Sequence, residues 1–173
     1  MNLTELINDK TKKGKEKVAT ISKWLLEGTL PIDELIIFAE KATDPVKKGT
    51  CIEAIEFATK ENPTIADISV LEFATKTLTF DAPKVKWESA RVIGNIAHLF
   101  PAKLNKTISN LLKNTEHNGT VVRWGTAFAL GEILKLKSKN NKVFLQIIQS
   151  IFDKEQNSGV KKQYLNAIKK IQG

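Results

Sequence analysis

Two stretches, VKWESARVIGNIAHL at residues 85–99 and VRWGTAFALGEILKL at 122–136, are near-copies of one another, 37 residues apart. Both open on valine, a basic residue and tryptophan. Both place alanine five residues after the valine (Ala90, Ala127) and glycine nine after it (Gly94, Gly131). Two further segments fit the same template: VKKGTCIEAIEFA from Val46 and VKKQYLNAIKKIQ from Val160. The four valines stand 39, 37 and 38 residues apart, and a fixed period of this length marks an array of repeated supersecondary units. The fifth, eighth and eleventh residues after each valine are mainly apolar. In the second copy they are Ala90, Ile93 and Ile96; in the third, Ala127, Leu130 and Ile133. That spacing draws one stripe along a helix of period 3.6. Glycine inside a helix costs about 1 kcal/mol relative to alanine. Its recurrence at one repeat position therefore predicts a close approach between helices.

A second set of helical segments alternates with the first. It comprises PIDELIIFAEKA from Pro31, PTIADISVLEFATKTL from Pro63, PAKLNKTISNLLKNT from Pro101 and KVFLQIIQSIFDK from Lys142. Three of the four open on proline, which suits the first turn of a helix. Turn-forming residues separate the two sets, with Asp44, Asp81 and Asn118 placed to cap the helices that follow. No segment alternates as a strand does. The expectation is an all-α chain: an alpha-alpha superhelix of four helix pairs over residues 31–173. Residues 1–30 supply a lysine-rich mobile segment and one capping helix over 15–27, and residues 1–173 form one domain. The last copy carries Lys169 where Gly131 stands, as the polar outer surface of a terminal repeat requires.

The pairing of a proline-started helix with a second helix opening on Val-Lys/Arg, at a period near 38, resembles the HEAT repeat. The resemblance implies that the second helices line a concave face. It also implies that the basic residues after the valines (Lys47, Lys86, Arg123, Lys161) join neighbouring repeats through a hydrogen-bonded ladder. A stripe of basic residues for ligand binding is the alternative.

Positions 2, 6, 10 and 13 after each valine cluster opposite the apolar stripe. They are Trp87, Arg91, Asn95 and His98 in the second copy, and Trp124, Phe128, Glu132 and Lys135 in the third. Lys162, Asn166 and Lys170 follow in the last copy, and Lys48, Ile52, Glu56 and Thr59 stand in the first. If the second helices line the concave face, these residues form its floor, with two tryptophans side by side. Packing of Trp87 and Trp124 into the seams between repeats is the competing placement, since tryptophan is usually largely buried.

Composition narrows the function further. The net charge of +8 is unevenly distributed: residues 31–81 hold 5 basic and 10 acidic residues, whereas 82–173 hold 16 basic and 5 acidic. A basic half of this kind steers acidic partners. Apolar runs fall far short of the ~20 residues that span a bilayer, and the N-terminus lacks the order of a secretory signal. The lone Cys51, expected to be a buried thiol, fits a reducing, cytoplasmic setting. No motif for a metal, a nucleotide or a catalytic nucleophile is present, so no catalytic residue, metal ligand or cofactor is assigned. Alkylpurine DNA glycosylases are built on HEAT-like helices, but no clear copy of their signature stretches occurs here. Two readings remain. The first is a protein-interaction module gripping a protein or peptide, with an acidic partner favoured by charge, through aromatic anchors on the concave face. The second is a nucleic-acid binder using the basic C-terminal half, with glycosylase-like repair as its most distant form.

Overall fold

The computed structural model describes residues 2–136 and 141–172. Lys137 and Lys139 of the basic half lie outside the described residues. The described residues form ten α-helices and no strand: α1 (Leu3–Asn8), α2 (Gly14–Leu26), α3 (Ile32–Lys41), α4 (Pro45–Glu61), α5 (Ile68–Thr77), α6 (Pro83–Ile96), α7 (Asn105–Leu112), α8 (Thr120–Lys135), α9 (Asn141–Lys154) and α10 (Ser158–Gln172). Three single turns of 3₁₀ helix lie between them at Pro63–Ile65, Ala97–Leu99 and Pro101–Lys103.

Helices α3/α4, α5/α6, α7/α8 and α9/α10 are the four expected pairs. The second helices lie side by side in the order α2, α4, α6, α8, α10, and α3, α5 and α7 form a second layer behind them. The apolar stripe fills the space between layers. Ile55 of α4, Val85, Val92, Ile93 and Ile96 of α6, and Val122, Leu130 and Leu134 of α8 are all buried. Burying one such aliphatic side chain contributes about 1.5–3 kcal/mol.

The N-terminus departs from expectation. The sequence TELIN is helical, and Leu6 and Ile7 are fully or almost fully buried. Asn2 and Glu5 close a capping box at its start. Lys17 of α2 donates to the carbonyl of Ile7 (2.7 Å), and Lys47 of α4 donates to Asn8 Oδ1 (2.7 Å). The lysine-rich stretch is thus a connection between two helices, and α1/α2 is a short fifth pair. Six residues are too few for a 3.6-residue period to stand out.

The first repeat also needs a correction of register. Val46 is 69% exposed, whereas Val85, Val122 and Val160 are fully buried. Asp44 accepts a hydrogen bond from the Val46 N–H (2.8 Å), which fixes Pro45 as the first residue of α4. Counted from helix starts at Pro45, Pro83, Thr120 and Ser158, the third residues are Lys47, Val85, Val122 and Val160. Lys47, not Val46, is therefore the equivalent of the valines. Of the expected caps, only Asp44 acts through its side chain. Ala82 and Gly119 hold the cap positions of α6 and α8, and Asn157 caps α10 through the N–H groups of Gly159 and Val160.

With that register the fourth residues align as Lys48, Lys86, Arg123 and Lys161, and the first three do one job. Lys48 donates to the carbonyls of Ala39 and Glu40, Lys86 to that of Leu78 (3.1 Å) and Arg123 to that of His117 (2.8 Å). Each cation thus meets carbonyls at the end of the preceding first-layer helix or in the turn behind it, where the helix dipole favours positive charge. Lys161 instead lies over the ring of Phe152 (4.6 Å). Neighbouring pairs are also stitched within the first layer. The hydroxyls of Thr75 and Thr107 are 2.7 Å apart, Asn110 donates to the carbonyl of Thr75 (3.0 Å), and Asn114 donates to that of Leu78 (3.0 Å).

Close packing of the second helices depends on small residues. A Cβ on Gly125 of α8 would stand 3.0 Å from the carbonyl oxygen of Trp87 and 3.4 Å from Ala90 Cβ, both on α6. One on Gly131 would stand 3.1 Å from Ala167 Cβ of α10. At Gly94 of α6 the neighbour is a side chain, with Phe128 Cδ1 of α8 2.7 Å from the added Cβ. Backbone cannot yield as a side chain can. Gly125→Ala is therefore expected to lower the denaturant midpoint: the overpacking costs ~1–3 kcal/mol, against a gain of about 1 kcal/mol in helix propensity. Gly14→Ala, with nothing within 4 Å, is expected to leave the midpoint unchanged or slightly raised. Equal midpoints for the two variants contradict the tight seam.

Candidate functional site

Any binding surface on the second-helix row must come from side chains that the two-layer core leaves to solvent. These are the fifth, ninth, thirteenth and sixteenth residues counted from each helix start, spaced to lie along one face. On α6 they are Trp87, Arg91 and Asn95, all partly buried; His98, in the 3₁₀ turn that follows α6, is exposed. On α8 they are Trp124, Phe128, Glu132 and Lys135, all partly buried. On α10, Lys162, Asn166 and Lys170 are exposed. On α4 the corrected register places Gly49, Glu53, Phe57 and Lys60 here. Lys48, Ile52, Glu56 and Thr59, the positions expected from the uncorrected register, are buried.

The tryptophans occupy both placements left open by the sequence. Trp87 presses its Cδ1 edge towards Gly125 in the α6–α8 seam, while Arg91 lies over its ring at 5.5 Å from the centroid. Its indole nitrogen is buried without a hydrogen-bond partner. Trp124 stacks on Phe128 with ring centroids 6.0 Å apart and planes 14° from parallel. Gly94 makes this possible, because its missing side chain leaves room for the Phe128 ring. Phe57 of α4 is 50% exposed. Aromatic surface therefore recurs along three neighbouring helices.

Arg91 and Asn95 are tied to α4. Asn95 donates to the Glu56 carbonyl (3.1 Å) and to Thr59 Oγ1 (3.3 Å). Arg91 bridges Glu56 (2.8 Å) and Glu88 (3.0 Å), whose side chains are only 2% and 1% exposed. Lys84, its stem lying against Gly49, pairs with Glu53 at 2.6 Å. The seam between α4 and α6 thus holds three carboxylates against two cations. Burial pushes Glu88 up to about 7; Arg91 opposes the shift, and Glu53 and Glu56 reinforce it. Burial raises Glu56 as well. Elsewhere on the face, Lys135 pairs with Glu132 at 2.6 Å.

Sequence reading misses Glu53, Phe57, Glu88 and the partnership of Arg91 with Glu56. The one-residue register error hides Glu53 and Phe57, and the proline that opens both α4 and α6 (Pro45, Pro83) is the signal that corrects it. Nothing in the sequence marks Glu88 as buried, since it stands where α8 carries Gly125. The remaining candidates for chemistry are engaged by the fold. Cys51 is fully buried, and burial pushes its thiol up to about 12. His117 is partly buried and accepts a hydrogen bond from the Gly119 N–H (2.9 Å). Among the described residues, no His, Cys, Asp and Glu side chains are grouped to hold a metal ion, and no helix is long and apolar enough to cross a membrane.

No protein-family model matches the chain, and no curated protein matches it by sequence. Solved structures do match its fold. A designed armadillo repeat protein in complex with peptide (KR)4 superposes with a TM-score of 0.74 at 16% identity, over 98% of this chain and 80% of that one. A second designed armadillo repeat protein gives 0.66 at 17% identity, again over 98% and 80%. An engineered protein gives 0.63 at 18% identity, over 98% and 79%. The chain has the fold of a helical repeat solenoid, similar to that of these armadillo repeat proteins.

The raised carboxyl of Glu88 in the α4–α6 seam predicts a pH dependence of the fold. A carboxyl whose folded-state pKa is raised holds its proton in the folded chain while the unfolded chain has lost it, so stability falls as pH rises between the two values. For Glu88 the window runs from about 4.5 to about 7. Denaturant midpoints are expected to fall across this window in the wild type and to fall less in Glu88→Gln. Parallel profiles in the two proteins rule out Glu88 as the source.

Proposed function

We propose that the chain is a non-enzymatic binding module that holds a peptide segment of a protein partner on the open face of its second-helix row, which we take to be the concave face. The observation that carries this reading is the Trp124–Phe128 stack beside Trp87. Three aromatic rings stand on adjoining helices, partly open to solvent, on a backbone fixed by close packing. Central aromatic anchors of this kind dominate binding energy at protein interfaces, and exposed apolar surface on an ordered scaffold marks interaction sites. The designed armadillo neighbour, seen with peptide (KR)4, supports a peptide as the ligand class for such a row. Within the solenoid class we propose a HEAT-type repeat. Supporting this, Lys86 of α6 reaches Asn114 Oδ1 after α7 (3.4 Å) and Arg123 of α8 reaches Glu155 after α9 (2.9 Å), contacts between neighbouring pairs of the kind the ladder of that resemblance implies. We also propose a single domain over residues 1–173, and a cytoplasmic setting that keeps the Cys51 thiol reduced.

The nucleic-acid reading draws on the basic C-terminal half, but the structure disperses that charge. Lys86 and Arg123 are engaged with backbone carbonyls, and Lys103, Lys106 and Lys113 belong to the other layer. On the open face Lys135 is paired, leaving Lys162 and Lys170 as its exposed lysines on α10.

The test is selection from a displayed random-peptide library, followed by titration of the enriched peptides. Trp124→Ala or Phe128→Ala is expected to weaken binding by ~2 kcal/mol or more, as for central anchors. Enriched peptides that bind both variants as tightly as the wild type refute the face. Labelled single-stranded and duplex DNA at two salt concentrations test the other reading. A log affinity that falls linearly with log salt supports it, and no binding at low salt removes it.

A further inference from the structure

We propose that the seam between α4 and α6 is a subsite for one cationic side chain of the bound peptide, arginine above all, received by the carboxylates of Glu53, Glu56 and Glu88 beside the ring of Trp87. This rests on the peptide-binding reading above and names the chemistry at one end of the face.

Three observations carry it. The first is a charge imbalance. At contact distance Glu53, Glu56 and Glu88 share only Lys84 and Arg91; Lys60 acts on Glu56 from further off, so three carboxylates hold two directly paired cations. A network that served only to join α4 to α6 needs no third carboxylate. The second is an unfilled acceptor. Glu56 is 1% exposed, and its Oε2 is buried with no hydrogen-bond partner. A buried acceptor left unpaired is costly, and native structures rarely leave one without a purpose. The third is access. Glu53 is 19% exposed, and the lysine paired with it, Lys84, is 47% exposed at the end of a flexible stem. Lys84 is therefore the exchangeable cation of the group. Arg91, fixed between two buried carboxylates and stacked over Trp87, is the permanent one.

The ligand chemistry follows from the spread of the acids. They are not grouped tightly enough to hold a metal ion. A planar guanidinium with five donors can address separated carboxylates together and can lie along an aromatic ring, where an ammonium offers a point charge. The overall charge of +8 does not forbid a basic ligand. At physiological salt the Debye length is about 8 Å, so lysines at the far end of the solenoid are screened while carboxylates in contact are not.

The proposal links binding to protons. The charges acting on Glu88 are Arg91 and Lys84 from its own helix and Glu53 and Glu56 from α4. An added cation favours the ionised carboxyl, so the ligand displaces a proton from Glu88 where that group is still protonated.

The experiment titrates the full chain with two fluorescent octapeptides, one of alternating lysine and arginine and one of glutamate alone, at pH 6 and pH 8. Thermal melts monitor the fold of every variant. The basic peptide is expected to bind and the acidic one not to. Binding of the basic peptide is expected to tighten by up to about tenfold from pH 6 to pH 8, and the indole N–H resonance of Trp87 to shift more than that of Trp24. Glu53→Gln, at a partly exposed position, is expected to keep the fold and weaken binding at least fivefold. Glu88→Gln is expected to abolish most of the pH dependence. Equal binding of the two peptides, or unchanged affinity in Glu53→Gln, overturns the proposal. No binding of the basic peptide, alongside library peptides that still require Trp124, overturns the subsite and leaves the peptide-binding face standing. If library peptides also fail to bind, both fall.

Discussion

The structure depends on how closely its second helices lie. α8 meets α6 through Gly125 with a backbone carbonyl 3.0 Å from where a Cβ would be, and it meets α10 through Gly131 against Ala167. Small residues at these crossings shorten the distance between neighbours in the row. That distance decides what the solvent side looks like. Side chains too large to sit between the helices are displaced onto the open face. Trp87 is wedged at the rim of one seam, and Phe128 lies over the space left by Gly94. A row packed through leucines would stand further apart, and the aromatic residues would sink between its helices. The aromatic face is in this sense a by-product of close packing.

The two ends of the row differ in how they are joined. The α6–α8 and α8–α10 seams are built mainly from apolar and small residues, whereas the α4–α6 seam contains a buried network of two glutamates and one arginine with Asn95 beside it. Buried ion pairs carry a large desolvation cost, and replacing them with apolar residues is often neutral or stabilising. Arg123 and Glu155 form a second such pair between α8 and the turn before α10, so a retained pair is weak evidence for a task by itself; the α4–α6 network differs in holding three carboxylates. Its position next to Trp87 places that task on the same face as the aromatic stack.

Most of the fold was legible because it repeats. Period, helix type, pairing and the small-residue positions follow from aligning four copies of one phrase, and the buried stripe lies where a 3.6-residue period puts it. The first copy misleads, because Val46 imitates the buried valine while Asp44 and Pro45 start the helix one residue too late for it. A short helix such as α1 shows no period at all. The face was legible on α6 and α8, where Trp87, Arg91, Asn95, Trp124 and Phe128 share one side of their helices. Their engagements were not. The stacking of Trp124 on Phe128 and the bridging of Glu56 and Glu88 by Arg91 are products of three dimensions, and the burial of Glu88 depends on neighbouring helices distant in sequence. Net charge gave the least reliable guide. The basic half points to an acidic partner, yet its cations are dispersed over both layers and partly consumed by helix ends, while the acids gather in one seam.

The central claim is that the open side of the second-helix row is where a peptide binds. Amide and indole chemical shifts, recorded while a library-selected peptide is added, test it most directly. The account predicts that the largest changes map to α4, α6 and α8 around Phe57, Trp87, Trp124 and Phe128, with α5 and α7 little affected. Changes concentrated on α5 and α7, with the indoles of Trp87 and Trp124 unmoved, contradict it.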